Sequence, residues 1–317
     1  MAQHTPFNQR GTMQHLKFAL SWVTWPGLFA CQLVAFDRAL CLKFDPALTL
    51  LALTVANMTV VAALELWLPD RPDWRWTSDG QSFNDVVHGI GNAFGDGLGR
   101  SALAVLFASI GGQLSAEGNL GLWPTQLPLW GQILLAVLAI DFSDYWKHRA
   151  FHAWSFAWPI HALHHNPDRM TVFKGIRLHF LEATIRALVV YGPLAILGAP
   201  PLVLLWMAAL MTFLGSLNHS NLVQRLPRFV HALVVTQKSH WLHHTKAYVN
   251  GACNFSPLTF WCDHLFGTFR HPLNEPLDDV GIEPDPIPKN LFLQLASPLL
   301  WPILIWAKRR QPRKSES

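Results

Sequence analysis

The sequence predicts an all-α protein whose helices are built for a bilayer, and three observations point there. Hydrophobic residues make up 51% of the 317 positions and charged residues only 14%, against roughly 25% charged in an ordinary soluble domain. Five long runs carry no charge at all: Phe18 to Phe36, Ala47 to Leu64, Ser101 to Ala116, Gly118 to Ile140 and Ala187 to Gln224. Between and after the later runs, histidines arrive in clusters rather than singly.

Each run can be placed in order. A membrane-crossing helix needs roughly 20 mostly apolar residues. Phe18 to Phe36 meets this, lacks a small-residue cleavage site and is longer than a signal-peptide core, so it reads as a retained helix. With Ala47 to Leu64 it forms an N-terminal transmembrane hairpin over residues 1–80. The third and fourth runs read as further spans. The fifth is too long for one crossing. Its Gly192-Pro193 and Pro200-Pro201 pairs interrupt helical hydrogen bonding, which predicts two arms near 184–198 and 201–218. Residues 271–317 add a loop, an apolar helix and a basic tail. The whole reads as a single membrane domain with its functional core at 82–270.

Charge sets the orientation. The segment 113–129 carries Glu117 and no Lys or Arg, which places it outside under the positive-inside rule. Lys147, Arg149, Arg169, Lys174, Arg177 and Arg186 surround the first histidines; Arg225, Arg228, Lys238 and Lys246 surround the last. The chain ends Lys308-Arg309-Arg310 with Arg313 and Lys314 beyond. These regions, the C-terminus included, read as cytoplasmic. The short loop 37–46, with Arg38 and Lys43, runs against the rule.

The histidine spacings carry the chemistry. His148 and His152 are four apart; His161, His164 and His165 repeat the pattern i, i+3, i+4, and so do His240, His243 and His244. Such spacings put side chains on one helical face, so each cluster presents imidazoles in one direction. His219 ends the returning arm of the predicted hairpin and joins as a ninth ligand. His179, just before that hairpin, is a candidate tenth ligand or a partner of one. Topology brings all of these to one membrane face, as a cap on the bundle. Zinc uses four ligands, or three and a water, whereas nine imidazoles suit two irons with four or five nitrogens each; zinc can replace iron in purified protein. Neutral ligands leave the ionic charge uncompensated, so carboxylates behind them are expected, with Asp141, Asp144, Glu182 and Asp263 as candidates. His4, His15, His88, His231, His264 and His271 are left as structural, as are Cys31, Cys41, Cys253 and Cys262, whose spacing fits no zinc or iron–sulfur site.

The flanking residues resemble one family. Asp144-Tyr145-Trp146-Lys147-His148-Arg149, the pair of His-x-x-His-His clusters, His179 through Glu182, Asn218-His219-Ser220 and Asp263-His264-Leu265-Phe266-Gly267-Thr268 are similar to the histidine boxes of the fatty acid hydroxylase/sterol desaturase superfamily of membrane di-iron oxygenases, over about residues 82–270. Phe180 stands where that pattern has proline, and Cys262 where it has tryptophan. The resemblance implies that oxygen is activated at two irons and spent on an unactivated C–H bond of a lipid, either by hydroxylation or by desaturation or methyl oxidation at the same site. Residues 248–270 are expected to roof that site.

Such chemistry consumes two electrons per turnover, and the chain has no GxGxxG before a helix, no haem motif and no ferredoxin-like cysteines. A separate donor is therefore expected, a ferredoxin or cytochrome b5-like protein. No aromatic–basic module suggests nucleic acid. A zinc hydrolase would need a general base in an HExxH context, which is missing. A metal transporter would place its ligands near the bilayer midplane, not beside basic loops.

Overall fold

The computed structural model describes residues 9–110, 120–246, 253–277 and 279–310, and among these it is helical, with three isolated β-bridges and no strand. Helices α1 (Gln9–Cys41) and α2 (Pro46–Trp67) form the N-terminal hairpin. Asp45 starts α2 by accepting from the Leu48 amide at 2.8 Å, with Pro46 at the first helical position, where its missing N–H is no loss. Next come α3 (Ser82–Ile110), α4 (Leu129–Ala153) and the short α5 (Trp158–His165). Helix α6 (Phe180–Arg186) continues through a π-turn, Ala187–Tyr191, into α7 (Gly192–Leu197). Gly198, at φ +92°, ends that arm, and α8 (Pro201–His219) returns. The cap holds α9 (Arg228–Leu233), α10 (Gln237–His244) and α11 (Trp261–Leu265); α12 (Leu291–Arg310) closes the described chain.

Among the described residues, five helices are long and apolar enough to cross a membrane: Gln14–Cys41, Pro46–Trp67, Phe180–Leu197, Pro201–His219 and Leu291–Arg309. The expected hairpin arms at 184–198 and 201–218 are present. The two middle runs differ from expectation. Residues 101–110 are the tail of the longer and more polar α3. Residues 120–128 form turns rather than the start of a span, because Pro124 and Pro128 cannot donate helical hydrogen bonds. Instead the Leu120 amide bonds Ile196 O, and those of Leu122 and Trp123 bond Leu197 O, which ties this segment to the Gly198 turn. Glu117 and the cations beyond Arg310 lie outside the described residues.

Helix α4 therefore runs from the Gly198 turn at one end of the bundle to His148 and His152 at the other. Its Ala136 and Ile140 pack on Val190 and Leu194 of the first arm and on Val203, Met207 and Leu214 of α8. Helix α3 lies against α6 at backbone contact. A Cβ on Gly95 would sit 2.1 Å from Phe180 O, and one on Gly99 would sit 2.5 Å from the Ala187 Cβ. Glycines four residues apart are what allow two helices to approach so closely inside a membrane. Glu65, near the end of α2, accepts from the amides of Val172 (2.7 Å) and Asn221 (2.8 Å). That bond pair fastens the first hairpin to the chain two residues past His219.

Candidate metal centre

Four helix segments aim imidazoles at one point, and each is fixed by local structure. The end of α4 supplies His148 and His152. Helix α5 has Pro159 in its first turn and supplies His161, His164 and His165. Thr236 and Ser239 close α10 with a reciprocal capping box, which sets the direction of His240, His243 and His244. His219 ends α8 with its Nδ1 donating to Gly215 O one turn back, at 2.7 Å. A side chain at Gly175 would crowd it, since a Cβ there would stand 3.2 Å from His219 Nδ1.

The nine histidines divide into two groups. His148, His152, His161, His165 and His243 form one and His164, His219, His240 and His244 the other; within each, one ligand nitrogen per residue lies within 4.8 Å of all the rest. In the first, Nε2 atoms face each other at 3.0 Å (His148–His161), 3.1 Å (His161–His165) and 3.2 Å (His165–His243). In the second the separations are 3.2 Å (His164–His219), 2.8 Å (His219–His240) and 3.1 Å (His240–His244).

The backs of the rings decide what those nitrogens are. Nδ1 of His148 donates to Phe255 O at 2.8 Å, that of His243 to Cys253 O at 2.8 Å, and that of His164 to Arg177 O at 3.3 Å. Nδ1 of His161 meets Glu182 Oε2 at 2.9 Å. A carbonyl or carboxylate only accepts, so in each of these rings the proton sits on Nδ1 and Nε2 carries a lone pair. His148 and His161 then oppose lone pairs at 3.0 Å, and His164 and His219 at 3.2 Å. Protons do not relieve this repulsion. Burial holds His161, His164, His165, His240 and His244 well below the usual imidazole value, helped by the Lys147 charge at His161 and by repulsion from neighbouring rings at the other four, and burial takes His243 to about 4. A metal cation in each group resolves the arrangement. Nitrogens about 2.0–2.1 Å from one ion stand about 2.9 Å apart at right angles and about 3.4 Å apart in a tetrahedron, and the 2.8–3.2 Å spacing observed is nearer the former. The donor set fits two metals.

The carboxylates divide differently from expectation. Of the four candidates, Glu182 touches a cluster histidine, His161. Asp141 instead accepts from the amides of Leu258 and Thr259 and from Thr259 Oγ1, and Asp263 from the amides of Phe255 (2.8 Å) and Ser256 (2.9 Å). Both shape the segment whose Cys253 and Phe255 carbonyls hold His243 and His148, so residues 253–260 stand behind the site; 248–252 lie outside the described residues. Asp144 pairs with Lys147 at 2.7 Å. His179 stands apart from both groups. Its Nδ1 caps α6 by accepting from the Leu181 amide and its Nε2 meets Leu295 O at 2.9 Å, so both ring nitrogens are engaged by backbone.

Sequence reasoning also missed a buried ion network. Lys174 and Arg177, counted among the cations marking the cytoplasmic side, are each 2% exposed. Lys174 bridges Asp79 (2.6 Å) and Asp85 (2.5 Å), and Arg177 binds Asp85 at 2.7 Å, Leu163 O and Asn166. The network locks the start of α3 to α5 and to the carbonyl behind His164. The available signal was the matching pair of acids, Asp79 and Asp85, just before and within the first turn of a helix.

Residues 133–268 match the model of the fatty acid hydroxylase family. The chain is 30% identical to the ornithine lipid hydroxylase OlsE of Rhizobium tropici over 288 residues, which is 88% of this chain and 84% of that protein. It is 27% identical to alkylglycerol monooxygenase of Danio rerio over 150 residues, 46% of this chain and 31% of that one. No solved structure matches it.

Proposed function

The chain belongs to the fatty acid hydroxylase family and is an oxidoreductase, and from that premise we propose that it is a membrane-bound di-iron monooxygenase that hydroxylates an unactivated C–H bond of a lipid. The observation that carries this reading is the division of nine imidazoles, seven buried and two (His152 and His240) half-buried, into groups of five and four. Two irons held there would supply oxygen activation, with coordination positions left for O2. The reaction balances as one oxygen atom entering the C–H bond and the other leaving as water, with two electrons and two protons taken up.

The protein's own residues hold and orient. His148, His152, His161, His165 and His243 would bind one ion, and His164, His219, His240 and His244 the other. Glu182 places a negative charge behind His161 and fixes its Nδ1 proton. The carbonyls of Cys253, Phe255, Arg177 and Gly215 do the same for His243, His148, His164 and His219, so that the Nε2 of each of these rings faces inward as a lone pair. Trp158 and Phe255, packed on the rings of the first group, exclude water from it.

The substrate is a membrane lipid, and the length of the match to an ornithine lipid hydroxylase makes amino-acid-bearing lipids the first to test. Electrons come from a separate donor, a ferredoxin or cytochrome b5-like protein. Arg225, Arg228 and Lys246 are exposed around the cap and suit an acidic carrier. The exposed cations around the cap support a cytoplasmic position for the histidines. The test compares lipid extracts, by mass spectrometry, from cells with and without the gene. A species heavier by one oxygen in the first, lost when His164→Ala or His243→Ala is expressed, supports the reading. The same species persisting in both variants rejects it.

A further inference from the structure

By length and composition α12 could cross a bilayer, but its contacts run another way. Gln294 and Ser297, both fully buried, and Trp301 lie on its inner side. Gln294 bonds Gln81 at 2.8 Å, Asn84 at 3.3 Å and His88 at 3.1 Å, in or just before the first two turns of α3. One residue on, Leu295 O receives the Nε2 of His179. Trp301 packs with Trp158, Ala162 and Leu163 of α5. Every one of these partners sits at the histidine end of the bundle. Within seven residues, about 10 Å of helix, α12 passes from the start of α3 to α5, so it traverses the end of the bundle rather than descending along it.

The outer side is apolar. Phe292, Leu299, Ile303 and Trp306 are 77%, 86%, 61% and 55% exposed. Their spacings of 7, 11 and 14 residues from Phe292 put them in one stripe, opposite Gln294, Ser297 and Trp301. Lys308 and Arg309, both exposed, follow at the end. Water does not suit four large apolar side chains in a row. An apolar stripe that ends at a pair of exposed cations, on a helix held flat at the end of a membrane bundle, matches the surface of a lipid leaflet with anionic headgroups.

We propose that α12 does not cross the membrane but lies along its surface on the histidine side. Phe292, Leu299, Ile303 and Trp306 enter the acyl boundary, and Lys308 and Arg309 rest on anionic headgroups. Because α12 packs on α5, this anchor seats the helix bearing His161, His164 and His165 at the lipid surface.

The test uses the full chain with Cys31 and Cys41 changed to Ser; Cys253 and Cys262 are buried. An impermeant maleimide should reach Arg309→Cys and Phe229→Cys, the latter on α9 in the cap, from the same side of sealed vesicles. Labelling from opposite sides overturns the proposal. Spin labels at Phe292→Cys, Leu299→Cys and Trp306→Cys, in phosphatidylcholine vesicles containing phosphatidylglycerol, should report one common depth of about 5–10 Å. A crossing helix would spread the outer two by about 21 Å, which also overturns it. Labels in water, or disulfides joining Leu299→Cys of two copies, would assign the stripe to a protein contact instead. Changing Lys308 and Arg309 to Gln should abolish the added immersion that phosphatidylglycerol gives over phosphatidylcholine alone; an unchanged lipid dependence removes the headgroup contact.

Discussion

The two nitrogen groups are built from the same repeated spacing and come out unequal. Helices α5 and α10 each carry histidines at i, i+3 and i+4, and each divides them between the groups in opposite sense. On α5 the outer pair, His161 and His165, joins the first group and His164 the second. On α10 the outer pair, His240 and His244, joins the second and His243 the first. The exchange makes three plus three. The inequality comes from the helices that complete each group: α4 adds His148 and His152 to the first, while α8 adds only His219 to the second. The supports differ too. The first group has a carboxylate, Glu182, and the carbonyls at 253 and 255; for the second, the ring contacts described are to the carbonyls of Gly215 and Arg177. A repeated pattern thus specifies a pair of sites, and its neighbours make one of them richer in ligands and in negative charge.

The largest effect should come from breaking either group at its exchanged member. His164→Ala should lower metal content from two ions per chain towards one, since it leaves three nitrogens in the second group, and His243→Ala should weaken retention in the first group by cutting it from five nitrogens to four. Both should abolish oxidation of the lipid. Elemental analysis with iron spectroscopy distinguishes the surviving ion, and loss of both ions in either variant would mean the groups are one cooperative unit. The next effect tests the asymmetry of charge. Glu182→Gln keeps a hydrogen-bond acceptor behind His161 but removes the carboxylate, so metal retention in the first group should weaken by about 10–100-fold while the second holds. Equal weakening of both would show that Glu182 compensates the pair as a whole. Smaller again is Asp263→Asn, which weakens the amide contacts at Phe255 and Ser256. It should cost about 1–3 kcal/mol in stability and loosen His148 and His243, so a chelator challenge should strip the first group sooner than in the parent protein.

The histidine clusters were legible because helical spacing is a local property, and cation-binding residues at i, i+3 and i+4 announce themselves. How α5 and α10 exchange members was not, since it depends on how those helices face each other. The role of His179 was open in the sequence for a related reason. Its position before a hairpin is shared by a ligand and by a helix cap, and only the backbone of Leu295, over a hundred residues away, decides between them. Asp141 and Asp263 were singled out as supports, but they act through loop amides, and no spacing in the sequence encodes a contact between α4 and Leu258. The spans failed where prolines and polar residues share an apolar stretch. Pro128 fixes where α4 begins, and Asp141, Asp144 and Lys147 near its end lower its hydropathy although it runs the height of the bundle. Lys174 and Arg177, counted as markers of sidedness, turn inward to meet Asp79 and Asp85, so a count of cations in the sequence overstates the charge those loops present.

The smallest effect expected also separates the two groups, through pH. His231, left as structural by sequence, is buried beside Thr236, the residue that caps α10, with Nδ1 2.8 Å from Thr236 Oγ1. Burial, and then the nearby His271 and Lys238, lower its pKa to about 4. A depressed folded value means that its contribution to stability is complete above about pH 6.5, the unfolded value, and is lost as pH falls toward 4. Between those limits the melting temperature should fall more steeply with decreasing pH than in His231→Gln, measured in detergent with metal content followed in parallel. Because α10 gives two of four ligands to the second group and one of five to the first, a loosened cap should release metal from the four-nitrogen group first. Simultaneous release, or a pH slope unchanged in His231→Gln, would detach the cap of α10 from the difference between the sites.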